Sequence, residues 1–277
     1  MFDLLANSLA FLYDLWPSYG GSIVLFTLAI MLVLTPLSLK SSRSMIAMQR
    51  LAPELKKLQK EHKDDREALN REMMALYQEH KVSPFSSCLP MLLQMPVFFI
   101  LYRVLSGLTS IGKDGNFNPK YLDAESSLAI ALRKTNEMMS FGMDLSKGAI
   151  KELQTEGIIT ALPYLFLVGI VGVTAYYQQR QVSSRNPNAE VNPQQQMVMK
   201  LMPAIFVFMS TSLPAGVVLY FVVSNIVRIA QQGWITRVEY GDDKPGKIIE
   251  TRVVQDNSKS TAKPAVKSSQ RNKKKRK

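Results

Sequence analysis

The sequence predicts an all-α integral membrane protein with five transmembrane helices, an N-terminal interfacial helix and a cytoplasmic helical hairpin between spans one and two. The chain has 277 residues, of which 47% are hydrophobic, and it contains four uncharged runs, at 15–39, 82–102, 157–179 and 201–227. Each run is near or above the ~20 apolar residues that cross a bilayer as a helix. Because a buried helix of a soluble protein rarely stays uncharged over such a length, we expect a membrane protein.

The N-terminal segment 1–20 predicts an amphipathic helix that lies in the membrane interface. Apolar residues recur at helical spacing over 2–15, namely Phe2, Leu5, Leu9 and Leu12. Trp16 then suits an anchor at headgroup level. No Lys or Arg precedes Lys40, so the basic start of a cleavable signal peptide is missing and we expect the first span to be retained.

A polar insert, 40–84, separates the first two spans. Leucine and methionine repeat at helical spacing in two stretches, around 51–58 and 69–76, and a Lys-Asp-Asp triplet separates them. Asp65 is expected to be the N-cap of the second helix. The pattern predicts two antiparallel amphipathic helices joined by a tight turn.

The stretch 197–235 is mostly apolar over 39 residues. As one helix it would extend roughly 58 Å, about twice the hydrocarbon core. Leu-Pro-Ala-Gly at 213–216 should turn the chain back, which makes two spans here and five in all. The predicted transmembrane helices are 21–39, 85–106, 158–178, 197–212 and 214–235.

The distribution of Lys and Arg predicts the orientation. The 40–83 insert holds ten of them, the 179–196 loop two and the tail 237–277 thirteen, whereas the segment before span one has none. Cytoplasmic loops carry the excess of positive charge. We therefore expect a multi-pass membrane protein with the N-terminus outside, 107–157 as an extracytoplasmic loop and the C-terminus in the cytoplasm.

No enzymatic chemistry is expected. Cys88 is the single cysteine, which excludes an intramolecular disulfide, and His62 and His80 both fall in the polar insert. No metalloprotease, P-loop or serine-hydrolase motif is present, so no cofactor or metal is predicted. The basic tail has no apolar period and should be disordered; its charge suits phosphates of ribosomal RNA or of anionic lipids, and no DNA partner is indicated.

Five segments carry a resemblance to the YidC/Oxa/Alb family of membrane protein insertases. They are 72–77 (Glu-Met-Met-Ala-Leu-Tyr), 82–84 (Val-Ser-Pro), 88–98 (Cys-Leu-Pro-Met-Leu-Leu-Gln-Met-Pro-Val-Phe), 202–206 (Met-Pro-Ala-Ile-Phe) and 213–225 (Leu-Pro-Ala-Gly-Val-Val-Leu-Tyr-Phe-Val-Val-Ser-Asn). The resemblance covers nearly all of 10–236. The chain is similar to the short form of the family, which lacks a large periplasmic domain.

The resemblance implies an insertase or chaperone that inserts and folds newly made membrane proteins through a polar groove in the inner leaflet. The groove is expected to be closed on the outer side and open to lipid and cytosol. The implied partners are nascent membrane proteins, the ribosome through the basic tail, membrane lipids and, for some clients, the Sec translocon.

The resemblance also implies which residues line the groove. The family usually places an arginine five residues before the proline of span one; that proline is Pro36, and Met31 stands at the arginine's position. Thr27, Gln94 and Tyr220 match the family's polar groove positions. These residues predict a neutral polar notch that acts by hydrogen bonds and held water.

The last span carries one charge that faces the same way as its polar residues. Tyr220, Ser224 and Arg228 repeat at i, i+4 and i+8, which places them on one helix face. Arg228 has two interpretations: it edges the cytoplasmic mouth of the groove and partly replaces the missing arginine, or it extends to lipid phosphates near the helix end. The sequence favours the second.

Two other functions compete with insertion. A small-solute transporter or channel would also need several spans, but transporters often show internal repeats and none is visible here. A purely structural assembly factor for other membrane subunits is the second alternative. The amphipathic hairpin has no transport role that we can name.

Overall fold

The computed structural model describes residues 2–80, 82–83, 89–183 and 193–240. The predictions for Cys88, for half of the 179–196 loop and for the basic tail beyond 240 fall outside these residues. Within them the chain is mostly helical, with elements α1 (Phe2–Leu15), α2 (Tyr19–Arg50), α3 (Ala52–Glu61), α4 (Arg66–Glu79), α5 (Leu89–Leu108), α6 (Ser127–Thr135), β1 (Met139–Ser140), β2 (Met143–Asp144), α7 (Ala149–Thr155), α8 (Ile158–Ser183), α9 (Pro193–Ser212) and α10 (Ala215–Tyr240).

Helix α1 has the helical bounds that the periodicity predicts. Its buried residues, Ala6, Leu9 and Ala10, face α2, α5 and α6, while Phe11 and Trp16 remain exposed. An exposed apolar face beside a buried one suits a helix at the membrane interface. The interfacial position itself stays a prediction.

Helix α2 continues well past the predicted end of span one at 39. It is 32 residues long, or about 48 Å, because no helix breaker follows Pro36 before Pro53, which lies in the first turn of α3. Pro36 lies inside the helix and is tolerated there; in the turn before it, the Thr35 hydroxyl donates to the Met31 carbonyl at 2.7 Å.

Two short helices, α3 and α4, follow α2 and contact each other. Asp65 caps α4, as the sequence predicts: its side chain accepts hydrogen bonds from the backbone N–H groups of Glu67 and Ala68. In the described residues, α4 has no buried side chain. Its apolar residues are therefore left half-exposed, and the hairpin arrangement stays a prediction.

Three helices of the described residues are long and apolar enough to cross a membrane: Tyr19–Met48, Ile158–Gln181 and Ala215–Val238. Two shorter apolar helices, Gln94–Leu108 and Leu201–Ser212, occupy the places of the second and fourth predicted spans. The chain is thus a helical membrane protein. Five complete spans remain a proposal.

The segment 107–157, predicted as a polar loop, contains folded elements that the sequence interpretation missed. It forms α6, the β1–β2 hairpin and α7, and Leu128, Leu132 and Leu145 are buried in the main core. The reason is amphipathicity on a short scale: single apolar side chains at i and i+4 bury one face of a helix that is polar elsewhere. We call residues 127–155 the cap.

The main core joins the cap to the spanning helices. It includes Ile23 and Phe26 of α2, Leu101 and Leu105 of α5, Val171 of α8 and a long run of α10, with the cap residues on one end. A second, small cluster of Ile46 and Ile235 packs α2 against α10 near the C-terminal ends of both helices. Helix α10 therefore lies at the centre of the bundle.

Candidate functional site

The predicted polar residues of α5 and α10 meet in one hydrogen-bonded chain. Gln94 on α5 donates through Nε2 to the hydroxyl of Tyr220 on α10, and Arg228 donates through Nη2 to Gln94 Oε1. Tyr220 is fully buried, while Gln94 and Arg228 are half-buried. One amide thus links two residues that lie about 12 Å apart along α10. We call these three residues the Gln94 network.

Two further predicted groove residues bond within their own helices. Thr27 is fully buried, and its hydroxyl donates to the carbonyl of Ile23 at 2.6 Å. Ser224 is buried as well and donates to the carbonyl of Phe221 at 3.2 Å. Both hydroxyl groups keep acceptor lone pairs in the low-dielectric interior. The structure therefore links three of the five predicted residues directly and leaves the other two locally satisfied.

The position of Arg228 differs from the interpretation that the sequence favours. Its guanidinium lies against α5 and bonds Gln94, instead of only extending toward lipid phosphates. Met31 is 2% exposed and belongs to the main core, as an apolar side chain should at that depth. The Gln94 network consequently includes one positively charged member, and the neutral polar notch stays a prediction.

Helices α2 and α10 lie side by side and run in the same direction. Ile23 lies beside Gly216, Gln231 donates to Thr35 Oγ1 at 2.8 Å, and Ile46 packs on Ile235. Higher residue numbers on one helix thus meet higher numbers on the other. The numbering offset between contacting residues changes along the pair, so the level of a residue is read from the contacts on either side of it.

Other polar contacts join the same helices, and the sequence interpretation missed most of them. Asn225 donates to Thr174 Oγ1 at 3.2 Å between α10 and α8, and Ser42 donates to Gln232 Oε1 at 3.2 Å between α2 and α10. Interhelical hydrogen bonds between small hydroxyl groups and amides are a usual means of fixing membrane helices. In the sequence, the consecutive glutamines at 231–232 were the signal that could have indicated interhelical hydrogen bonds of α10.

Within the cap, the buried carboxylates have partners inside the chain. Lys147 Nζ lies 3.0 Å from Glu152 Oε1, and Glu152 is only 2% exposed. The hydrogen bond to Glu152 raises the pKa of the Lys147 ammonium above its usual value. Asp144 Oδ1 accepts the backbone N–H groups of Met138 and Ser146, both at 3.0 Å.

The cap also binds the start of α10. The backbone N–H of Ala215 donates to the Lys147 carbonyl at 2.8 Å, and that of Gly216 donates to the Leu145 carbonyl at 2.9 Å. The first turn of a helix has N–H groups without an intrahelical partner, so these two bonds satisfy groups that would otherwise be buried unpaired. The Asp144 carbonyl in turn accepts from the hydroxyl of Tyr164 on α8 at 3.1 Å.

A cavity of about 1010 Å³ lies between α1, α2 and α5, away from the Gln94 network. Its walls are mainly apolar and include Leu4, Phe11, Phe26, Ile30, Val97 and Ile100. None of the five predicted groove residues lines it. This cavity therefore offers an apolar surface, and the members of the Gln94 network are not part of its lining.

Comparisons with known proteins agree in a single assignment. The model of the family described as 60Kd inner membrane protein matches residues 11–242. The "Membrane protein insertase YidC" of Geobacter sulfurreducens is 36% identical over 233 residues, which are 84% of this chain and 36% of that protein. The protein of the same name from Nitratidesulfovibrio vulgaris is 37% identical over 233 residues, 84% of this chain and 37% of that protein.

A solved structure has the same fold over most of the chain. It is described as "Active YidC insertase crystal structure with the first transmembrane domain resolved", with a TM-score of 0.56 and 25% sequence identity. The match covers 87% of this chain and 46% of that one. This chain thus spans between a third and a half of the length of these similar proteins.

Proposed function

Because the chain belongs to the 60Kd inner membrane protein family, which includes the YidC insertases, we propose that it inserts newly made membrane proteins into the bilayer and helps them fold. The family and the apolar helices indicate a bacterial inner membrane protein. The family is one of insertases and not a catalytic class, so the proposed work is a lowering of the barrier to insertion.

The observation that carries this proposal is the Gln94 network. It places an amide, a phenol and a guanidinium between helices that are mostly apolar. An unsatisfied polar group of a client segment costs several kcal/mol in hydrocarbon. Polar side chains that face a shared notch, with the water they hold, reduce that cost along part of the path.

The client groove in this proposal is formed by Thr27, Gln94, Tyr220, Ser224 and Arg228. The apolar segment of the client passes into lipid beside the groove, while its polar segment rests against these side chains. An amide at membrane depth usually faces protein or water, because hydrocarbon cannot satisfy it. Gln94, with both ends bonded, has this kind of environment.

Reconstitution of the full chain into liposomes tests the function. A single-span client is synthesised in the presence of these proteoliposomes, and the protease-protected fraction of the client is compared with that in empty liposomes. Protection that rises with the amount of protein supports an insertase. Insertion equal to that in empty liposomes contradicts it, and solute leakage or uptake without client insertion would favour a transporter or channel.

We further propose five spans with the N-terminus outside and 40–83 and 237–277 in the cytoplasm. The excess of Lys and Arg in these two segments supports this orientation. Single cysteines that replace Ser126 and Ser260, in a background where Cys88 is replaced, should react with a membrane-impermeant label from opposite sides. Labelling of both from the same side would contradict the topology.

The proposed partners follow from the same chemistry. Nascent membrane proteins are the clients, and the basic tail would bind the ribosome through RNA phosphates, a contact that should weaken as salt is raised. The Sec translocon would act beside the chain for some clients, and lipids surround the spanning helices.

A further inference from the structure

Arg228 lies at nearly the same depth in the bundle as Met31. The contact between Thr35 and Gln231 sets the register: Met31 precedes Thr35 by four residues, and Arg228 precedes Gln231 by three. If the contact of Ile23 with Gly216 sets the register instead, the levels of Met31 and Arg228 differ by four residues. These two contacts lie on either side of Met31 and Arg228, and they put the two residues within about 6 Å of the same level.

The sequence around Arg228 makes its charge conspicuous. It is the single charged residue between 215 and 236, and 15–39 of the neighbouring helix contains none. A guanidinium at membrane depth is costly unless it faces protein or water and has partners. A position with no need of charge would hold an apolar residue, as position 31 does.

The partner of Arg228 is neutral. Its Nη2 group donates to the amide oxygen of Gln94, and no carboxylate pairs with it among the residues that the structure describes. A guanidinium has five N–H donors in a planar fork that matches a carboxylate, and a bond to a carboxylate is roughly twice as strong as one to a neutral amide. A carboxylate that reaches this site would therefore displace Gln94 Oε1.

We propose that Arg228 is the counter-charge for acidic residues in the polar segments of client proteins, delivered from α10 at the depth where Met31 leaves α2 without one. Gln94 holds the guanidinium in the empty groove, and it remains bonded to Tyr220 when a client carboxylate takes its place. This inference rests on the proposed insertase function. It specifies the substrate class: segments that bear Asp or Glu depend on Arg228, and neutral segments do not.

A matched pair of clients tests the inference. Two single-span proteins differ only in the translocated tail, which carries Asp and Glu in one and Asn and Gln in the other. Insertion of each into proteoliposomes is measured with the full chain and with three variants. Arg228→Gln removes the charge, Arg228→Lys keeps it, and Arg237→Gln removes a charge from the exposed end of the same helix.

We expect Arg228→Gln to lower insertion of the acidic client at least about tenfold, the factor for a lost hydrogen bond between charged groups. The neutral client should lose no more than about threefold, since only an uncharged interhelical contact is lost. Arg228→Lys should preserve most of the acidic client's insertion. Arg237→Gln should leave the ratio between the two clients at the value of the unchanged protein.

The double variant Met31→Arg with Arg228→Gln tests whether the depth of the positive charge matters more than the helix that carries it. It should restore the acidic client to within about threefold of the unchanged protein, because the charge returns at a similar level. Equal losses for both clients in Arg228→Gln would overturn the inference and leave Arg228 as a structural link between α5 and α10. Failure of the unchanged protein to insert either client is a different result, since it contradicts the proposed function itself.

Discussion

The Gln94 network and the cap bury polar groups in two different ways. In the cap, Glu152 is paired with Lys147, Asp144 accepts two backbone N–H groups, and the cap carbonyls accept from the first turn of α10. In the network, the charge of Arg228 meets an uncharged amide. The cap satisfies its buried carboxylates within the chain, whereas the network leaves one charge with a partner that a ligand can replace.

This difference separates a structural polar cluster from a binding one. A buried ion pair that is broken by the loss of one partner destabilises the fold, because the remaining charge is uncompensated. A cation that bonds a neutral amide can exchange that bond for a stronger one to a carboxylate. Changes in the cap should therefore affect stability and all clients alike, and changes in the network should affect insertion more than stability.

The largest effect is expected when the neutral groups of the groove are removed together. The triple change Thr27→Val, Gln94→Leu and Tyr220→Phe removes the hydroxyl and amide groups with little change in volume. Each interhelical hydrogen bond contributes on average well under about 2 kcal/mol, but together they hold the water that a polar client segment needs. Insertion of acidic and neutral clients should both fall severely in the proteoliposome assay.

The single change Thr27→Val is the matched control for the triple one. The Thr27 hydroxyl bonds its own helix, so its loss should reduce insertion only partially. If the triple variant inserts both clients normally while Arg228→Gln fails to insert the acidic one, the groove works by charge alone. The role proposed for its neutral groups would then be wrong.

A smaller effect is expected from the ion pair of the cap. Lys147→Met leaves Glu152 buried at 2% exposure without its partner, although Lys147 is itself 38% exposed. The free energy of unfolding should fall by about 1–2 kcal/mol, since water screens part of the interaction. The midpoint of thermal unfolding in detergent would then fall by about 2–4 °C for each kcal/mol.

Lys151→Met is the control for this change, because it removes an exposed charge from the same part of the cap. It should leave the unfolding midpoint close to that of the unchanged protein. Lys147→Met should also lower both clients' insertion by the same factor. A selective loss of the acidic client would show that the cap takes part in client recognition, against the separation of the two regions.

The smallest effect is the pH dependence of the same ion pair. The hydrogen bond to Glu152 raises the pKa of Lys147 above 10.5, so the folded state holds this proton more tightly than the unfolded state does. The stabilisation is fully present below pH 10.5 and is lost as the pH rises through the higher folded-state pKa. The difference in unfolding midpoint between the unchanged protein and Lys147→Met should therefore be constant up to about pH 10 and shrink above it.

A difference that stays constant through the whole alkaline range would show that the contact stabilises the cap by packing of the lysine stem. The Gln94 network is the region with which this pH dependence of the cap is compared. Lys147 is not a member of this network, so the preference for acidic clients should survive where the contribution of the cap fades.

Much of the fold could be predicted from the sequence because its signals are local. The lengths of the uncharged runs indicate the spanning helices, Asp65 indicates the start of α4, and Leu-Pro-Ala-Gly indicates the turn between α9 and α10. Helix ends were less predictable: α2 runs to Arg50, because polarity at Lys40 marks the edge of the hydrocarbon and not the end of the helix.

The candidate site divides in the same way between sequence and structure. The sequence by itself determined that Tyr220, Ser224 and Arg228 share one face of α10, since that follows from helical period alone. Only the tertiary structure decided that this face meets Gln94, that Arg228 lies level with Met31, and that residues 127–155 fold into a cap. Which side chains meet depends on the rotation and crossing of whole helices, and packing over the entire bundle sets both.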